Sequence, residues 1–151
     1  MLDYKTLGLE EAQKAIDAVI THAKNNNHQG VAVCVVDKSG EVIASARMDG
    51  KAARFTLAAH RKAYTGAIFE RDTKGVIKFW DKQAEQGHRG PTDWNDAMIT
   101  TLPGGSVVCH GIDVVGGIGV AGGNQHISDE AFAELAVAAL GEGFRHRVDW
   151  D

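Results

Sequence analysis

The chain has 151 residues, 44% of them hydrophobic, and a formal net charge of −4. That is enough for one domain with its own core, yet no stretch approaches the ~18 consecutive apolar residues of a membrane helix. Acidic and basic residues are interspersed, which excludes the concentrated basic face of a nucleic-acid binder.

The N-terminus lacks the charged-then-apolar pattern of a secretory leader. Leu9, Ala12, Ile16, Val19, Ile20 and Ala23 recur at three- and four-residue spacing and predict a helix over 8–27. Thr6 is the expected cap, with Glu10 and Glu11 in the first turn, and His22 and His28 suit the C-terminal dipole. Residues 31–37 read as a strand covered on both faces. Lys38-Ser39-Gly40 turns the chain into a strand over 41–47, which closes a first hairpin before Met48-Asp49-Gly50. The helix expected over 54–70 is apolar nearly all round. Its periodicity sets Lys62 among Phe55, Ala59, Gly66 and Phe69, where an ammonium must snorkel or meet an anion. Gly66 inside that helix points to a close packing contact, and His60, one turn before Tyr64, is placed to pair with it.

A third helix over 73–86 presents Val76, Ile77, Trp80 and Ala84. A polar loop over 87–95 holds His88, Arg89 and Trp94, and a short strand over 97–101 follows. The second hairpin joins strands 106–110 and 114–121 through Gly111-Ile112-Asp113. Strict alternation turns Val114, Gly116, Ile118 and Val120 one way, and Val115, Gly117, Gly119 and Ala121 the other. Two glycines on one face signal close approach by a helix or a flat ligand. Pro103-Gly104-Gly105 and Gly122-Gly123 turn both ends sharply and expose N–H groups on one rim. Ser128 caps a last helix that starts with Asp129 and Glu130 and buries Phe132, Leu135, Ala136, Ala139 and Leu140. The charged tail over 144–151, with Trp150, packs on a partner subunit or is loose. Five strands in hairpins and four helices make an α+β domain with a mainly antiparallel sheet. Cys34 and Cys109 lie inside apolar strands, so buried reduced thiols and a cytoplasmic setting are expected. A disulfide between them requires their strands to be neighbours.

No histidine pair has metal-site spacing and there is no C-x-x-C, so no metal is expected. No G-x-S-x-G, exposed cysteine or P-loop supplies a nucleophile or phosphate cradle. Arg47 and Asp49 close the strand over 41–47. Either they form an ion pair that fixes the turn, or Arg47 and Lys62 receive a ligand carboxylate. The expected site is one anion-accepting pocket lined by Arg47, Lys62, Gly104, Gly105 and the loop from Gly122 and Gly123 to His126. His60 or His88 would titrate near neutral pH there.

The segments Val31–Asp37 with Ser39-Gly40, Ala46-Arg47-Met48-Asp49-Gly50, Lys62-Ala63-Tyr64-Thr65, Leu102-Pro103-Gly104-Gly105 and Val115-Gly116-Gly117-Ile118-Gly119-Val120 occur in this order along nearly the whole chain. Together they resemble the GlcG/HbpS-like family, the haem-binding or haem-degrading domain also called DUF336. The resemblance implies α/β/α layers around a five-stranded antiparallel sheet, homo-oligomers built from dimers, and a pocket near the sheet rim. It makes haem the candidate cofactor, since some members bind it, while others belong to catabolic operons. Gly104-Gly105-Ser106-Val107-Val108, Gly119-Val120-Ala121-Gly122 and the segment 79–96 depart from the family pattern around that pocket. Two functions follow. One is a small-molecule-binding domain for haem or a small carboxylate, accessory to a catabolic pathway. The other is an enzyme, a lyase, isomerase or hydrolase, on a carboxylate-bearing substrate. There Arg47 and Lys62 would anchor, His60, His88 or Asp49 would move protons, and the tryptophan-bearing segment 79–96 would form a lid.

Overall fold

A computed structural model describes residues 1–149; the expected role of Trp150 falls outside them. The elements are α1 (Leu9–Asn25), β1 (Ala32–Asp37), β2 (Val42–Arg47), α2 (Ala53–Phe69), α3 (Thr73–Glu85), a 3-10 turn (Gly90–Trp94), β3 (Gly105–His110), β4 (Asp113–Ala121), α4 (Asp129–Ala139) and β5 (Phe144–Arg145). The strands form one antiparallel sheet in the order β2-β1-β4-β3-β5. The two expected hairpins are present, and β4 and β1 pair to join them.

α1 and α4 cover one face of the sheet. Val19, Val33, Val35, Ile118, Val120, Phe132 and Ala136 form the main core there. α2 covers the other face, against Cys34, Val36 and Ala121. The expected α/β/α layering therefore holds. Cys34 and Cys109 are buried free thiols, and β4 lies between their strands. Burial pushes the Cys34 thiol up to about 12.

The glycines of β4 set the approach of α2. A Cβ at Gly119 would collide with the Ala59 carbonyl oxygen, and one at Gly117 with that of Ala63. α2 thus lies with its backbone directly on the sheet, closer than any larger residue allows. Gly66 on α2 makes the reciprocal contact, against the backbone of Ser106 and Val107.

Several local expectations are corrected. Gly8, not Thr6, caps α1: its N–H donates to Glu11 Oε2 at 2.9 Å. The Thr6 hydroxyl instead accepts from Lys38 N at 3.0 Å. Leu9 is 55% exposed and does not join the buried stripe. A bulge between β3 and β4 pairs Val108 with Gly116 and Cys109 with Val114, leaving Val115 over. Strict alternation fails there: Val115 joins Ile118 and Val120 in the main core, and Val114 packs with Val107 and Cys109.

Residues 97–101 are not a strand. Side chains claim their backbone instead. Thr65 Oγ1 accepts from Thr100 N and donates to Met98 O, and Asp96 Oδ1 accepts from Met98 N. The fifth strand is β5, in the tail expected to be loose or docked on a partner. It pairs Arg145 with Cys109 and Phe144 with His110. The rest of that outer edge of β3 is met by α3's start. Thr73 Oγ1 accepts from Gly105 N at 2.9 Å and donates to Gly105 O at 3.3 Å, and Asp72 Oδ1 accepts from Val107 N at 3.1 Å. Asp72 Oδ2 also pairs with His146 Nδ1 at 2.6 Å, which ties the tail down.

Residues of the segment 79–96, expected to form a lid, pack against α2 instead. Trp80 is buried, with its ring 5.6 Å from Phe69 and 6.2 Å from Trp94, so the aromatics close on the C-terminal end of α2.

Candidate functional site

The close approach of α2 delivers Lys62 to the rim where β4 ends and α4 begins. Lys62 is 4% exposed. Its Nζ donates to Val120 O at 3.0 Å and to Asp129 Oδ2 at 2.7 Å. The other Asp129 oxygen accepts from Gly123 N at 2.6 Å. Asp129 opens α4, whose cap Ser128 accepts from Ala131 N at 3.1 Å. Asp129 is thus the half-buried partner of Lys62. Gly104 lies over the pair at φ +107°, and a Cβ there would stand 2.5 Å from Asp129 Cβ and 3.2 Å from Lys62 Nζ. Only glycine leaves room for the ion pair at this turn.

Beside the pair opens a cavity of about 590 Å³. α2 contributes Arg54, Phe55, Leu57, Ala58, Arg61 and Lys62. The loop before β3 contributes Thr100, Leu102 and Pro103, and the rim contributes Ala121, Gly122 and Asp129. Its walls are mostly apolar with a few polar groups among them, the arrangement of a small-molecule site. The Arg61 Nε is buried without a hydrogen-bond partner among the described residues.

Arg47 and His60 lie elsewhere. They line a second groove of about 670 Å³ with Cys34, Ser45, Thr56 and Leu57, between β2 and the first half of α2. The single pocket expected to unite Arg47 with Lys62 is therefore two, because α2 turns successive residues to different sides. Leu57 lines both. Asp49 is exposed in the turn after β2, and no ion pair joins it to Arg47 among the described residues. His88 is exposed after α3, and His126 is exposed on the rim loop, where its N–H donates to Asn124 Oδ1 at 2.8 Å. Gly105 lies in β3 under the Lys62 carbonyl, and Gly122 lines the first cavity at φ +105°.

Tyr64 pairs with Asp96 rather than His60: its hydroxyl donates to Asp96 Oδ2 at 2.7 Å, which holds the phenol proton up to about 12. The histidines at the end of α1 turn edge-on to Phe132, and His28 Nδ1 accepts from Gly30 N at 3.0 Å. Asp72, Glu134 and His146 bring ligand-type atoms within 4.8 Å of one another, but Lys74 Nζ holds Glu134 at 2.9 Å and His146 holds Asp72. They form an ion-pair network that fastens the tail.

The sequence reading missed Arg54, Arg61 and Asp129. Arg54, Ala58 and Arg61 recur at four- and three-residue spacing, so they form a visible stripe on α2. The 67-residue separation of Lys62 and Asp129 has no local signal.

Residues 7–138 match the family described as haem-degrading protein HbpS-like. Protein GlcG of Escherichia coli strain K12 is 32% identical over 114 residues, 75% of this chain and 71% of GlcG. The crystal structure of HbpS superposes with a TM-score of 0.80 at 30% identity, covering 94% of this chain and 95% of that one. Two further structures share the fold. Klebsiella pneumoniae ORFY, a DUF336 protein, has a TM-score of 0.80 at 23% identity and covers 93% of this chain and 94% of its own. A PduOC haem complex has 0.74 at 22%, covering 89% and 94%.

Proposed function

The chain belongs to the HbpS-like family, and from that premise we propose that it is a small-ligand-binding domain whose ligand enters the cavity beside Lys62. The observation that carries this reading is the pair of buried Lys62 and half-buried Asp129 in the wall of an apolar cavity of ligand size. Burying two charges is costly, and folding the domain does not require that they border an open cavity. The domain works in the cytoplasm, as an accessory to a catabolic pathway. Two free thiols support the setting, and the accessory role is what the family resemblance implies. No described helix is long and apolar enough to cross a membrane.

Haem, the group named by the family, fits the two grooves differently. Haem iron takes His, Cys, Met or Tyr side chains. The Lys62 cavity has none of these on its walls. The second groove has His60, with Arg47 able to meet a propionate. A haem reading therefore belongs to the His60 groove. The enzyme reading lacks comparable support, because none of His60, His88 and Asp49 lines the Lys62 cavity.

Amide NMR of the full chain during titration with a library of small organic acids tests the ligand site. Perturbations should cluster on Ala58, Leu102 and Ala121. A chain that binds such acids with those three residues unmoved has its ligand elsewhere. A haemin titration tests the second reading: a Soret band lost in His60→Ala supports it, and a band indifferent to that change refutes it.

A further inference from the structure

The charges around the Lys62 cavity are not all available to a ligand. Lys62 is neutralised by Asp129 at 2.7 Å. The cations left are Arg54 and Arg61, seven residues apart on one stripe of α2. Arg61 is the half-buried one, and its Nε has no acceptor among the described residues. No ion pair among the described residues engages its guanidinium, so a ligand carboxylate would be its counter-ion. The apolar lining is Phe55, whose ring lies under the Arg54 guanidinium, with Ala58, Leu102 and Pro103, which a fully hydrated anion would gain nothing by touching. The lining carries no side chain suited to holding haem iron.

We infer that this cavity takes a metal-free organic acid: an apolar body of one or two rings ending in a carboxylate, which the Arg61 guanidinium receives through its terminal nitrogens. The planar fork of arginine matches the two carboxylate oxygens, and the apolar walls take the body. This rests on the ligand site proposed above. It makes Arg61, rather than Lys62 or Arg47, the residue that selects for charge, with Lys62 and Asp129 as polar groups in the wall against which the acid seats. A cavity of about 590 Å³ admits a bicyclic acid.

The test compares 2-naphthoate with 2-naphthamide, its neutral isostere, by calorimetry and amide NMR on the full chain. The acid should bind at least about tenfold tighter than the amide, with both probes shifting Ala58, Leu102 and Ala121. Arg61→Met should remove that advantage. Equal binding of acid and amide, with those residues still shifting, overturns the inference and leaves the ligand site standing. Probes that bind without shifting any of the three overturn the ligand site itself. The comparison in the unaltered chain decides the matter even where Arg61→Met fails to fold. A haemin Soret band that survives His60→Ala and is displaced by naphthoate puts iron in this cavity and also overturns the inference.

Discussion

Lys62 and Asp129 hold each other and the start of α4, so the first consequence of removing either is structural. Lys62→Met leaves a carboxylate that is only 24% exposed without its cation. Breaking a buried pair costs about 3–5 kcal/mol, and the partial exposure of Asp129 lowers this to about 2–3 kcal/mol. Urea denaturation should show that loss, and adding Asp129→Asn should recover part of it. A single variant as stable as the parent would refute the structural role. The Asp72–His146 pair makes a prediction about pH. The hydrogen bond to Asp72 holds the His146 proton above its ordinary value. Burial raises the Asp72 carboxyl despite its bonds to His146 and Val107. Both shifts act in one direction: their stabilisation is present at low pH and is lost as pH rises through the folded-state values. The His146 part should fade across and above the ordinary histidine range. From pH 6 to pH 8 the melting temperature should therefore lose more, or gain less, in the parent than in His146→Gln. Parallel pH profiles would count against the latch. At this scale, periodicity on α2 sufficed to bury Lys62. Its partner was hidden because an aspartate opening a helix already has a local explanation in the dipole.

Among the elements, α2 governs the site because β4 lets it come close. Gly119→Ala would put a methyl group into the Ala59 carbonyl. Backbone cannot swing aside as a long side chain does, so a loss of about 3 kcal/mol or more is expected, at or beyond the usual cost of overpacking. The displaced helix should also weaken binding in the Lys62 cavity. A stable Gly119→Ala chain with unchanged affinity would show that the approach is not needed. The hairpins and the four helices were legible, since each is written in local periodicity and turn residues. The false strand over 97–101 and the missed β5 share a cause. Whether a short apolar or mixed segment pairs as a strand depends on which distant donors reach it. Thr65 reaches the first, while the tail over Phe144–Arg145 finds an open stretch of β3. The bulge at Val115 likewise depends on the partner strand and leaves no mark in β4's own alternation.

At the scale of the molecule, Val42 on β2 and Leu57 on α2 are each 47% exposed and flank the second groove. We expect this side to carry contacts between copies, as the resemblance implies for oligomers built from dimers. Light scattering should give an even multiple of 16.1 kDa, and Leu57→Glu should lower it. A clean 16.1 kDa species in the parent would refute the expectation. The two margins of the sheet differ in what they offer such an assembly. Along β3, Thr73, Asp72 and β5 take up the backbone groups of Gly105, Val107, Cys109 and His110. β2 borders the sheet with no strand beyond it. A ribbon with one hem sewn shut can be extended only at the other. Two copies that join β2 to β2 in antiparallel fashion are related by a two-fold axis, and each uses the one margin left open among the described residues. Growth by strand addition would then stop at a pair, and the small Asp72–Thr73–β5 seal would keep a sheet-to-sheet contact from propagating into a fibre.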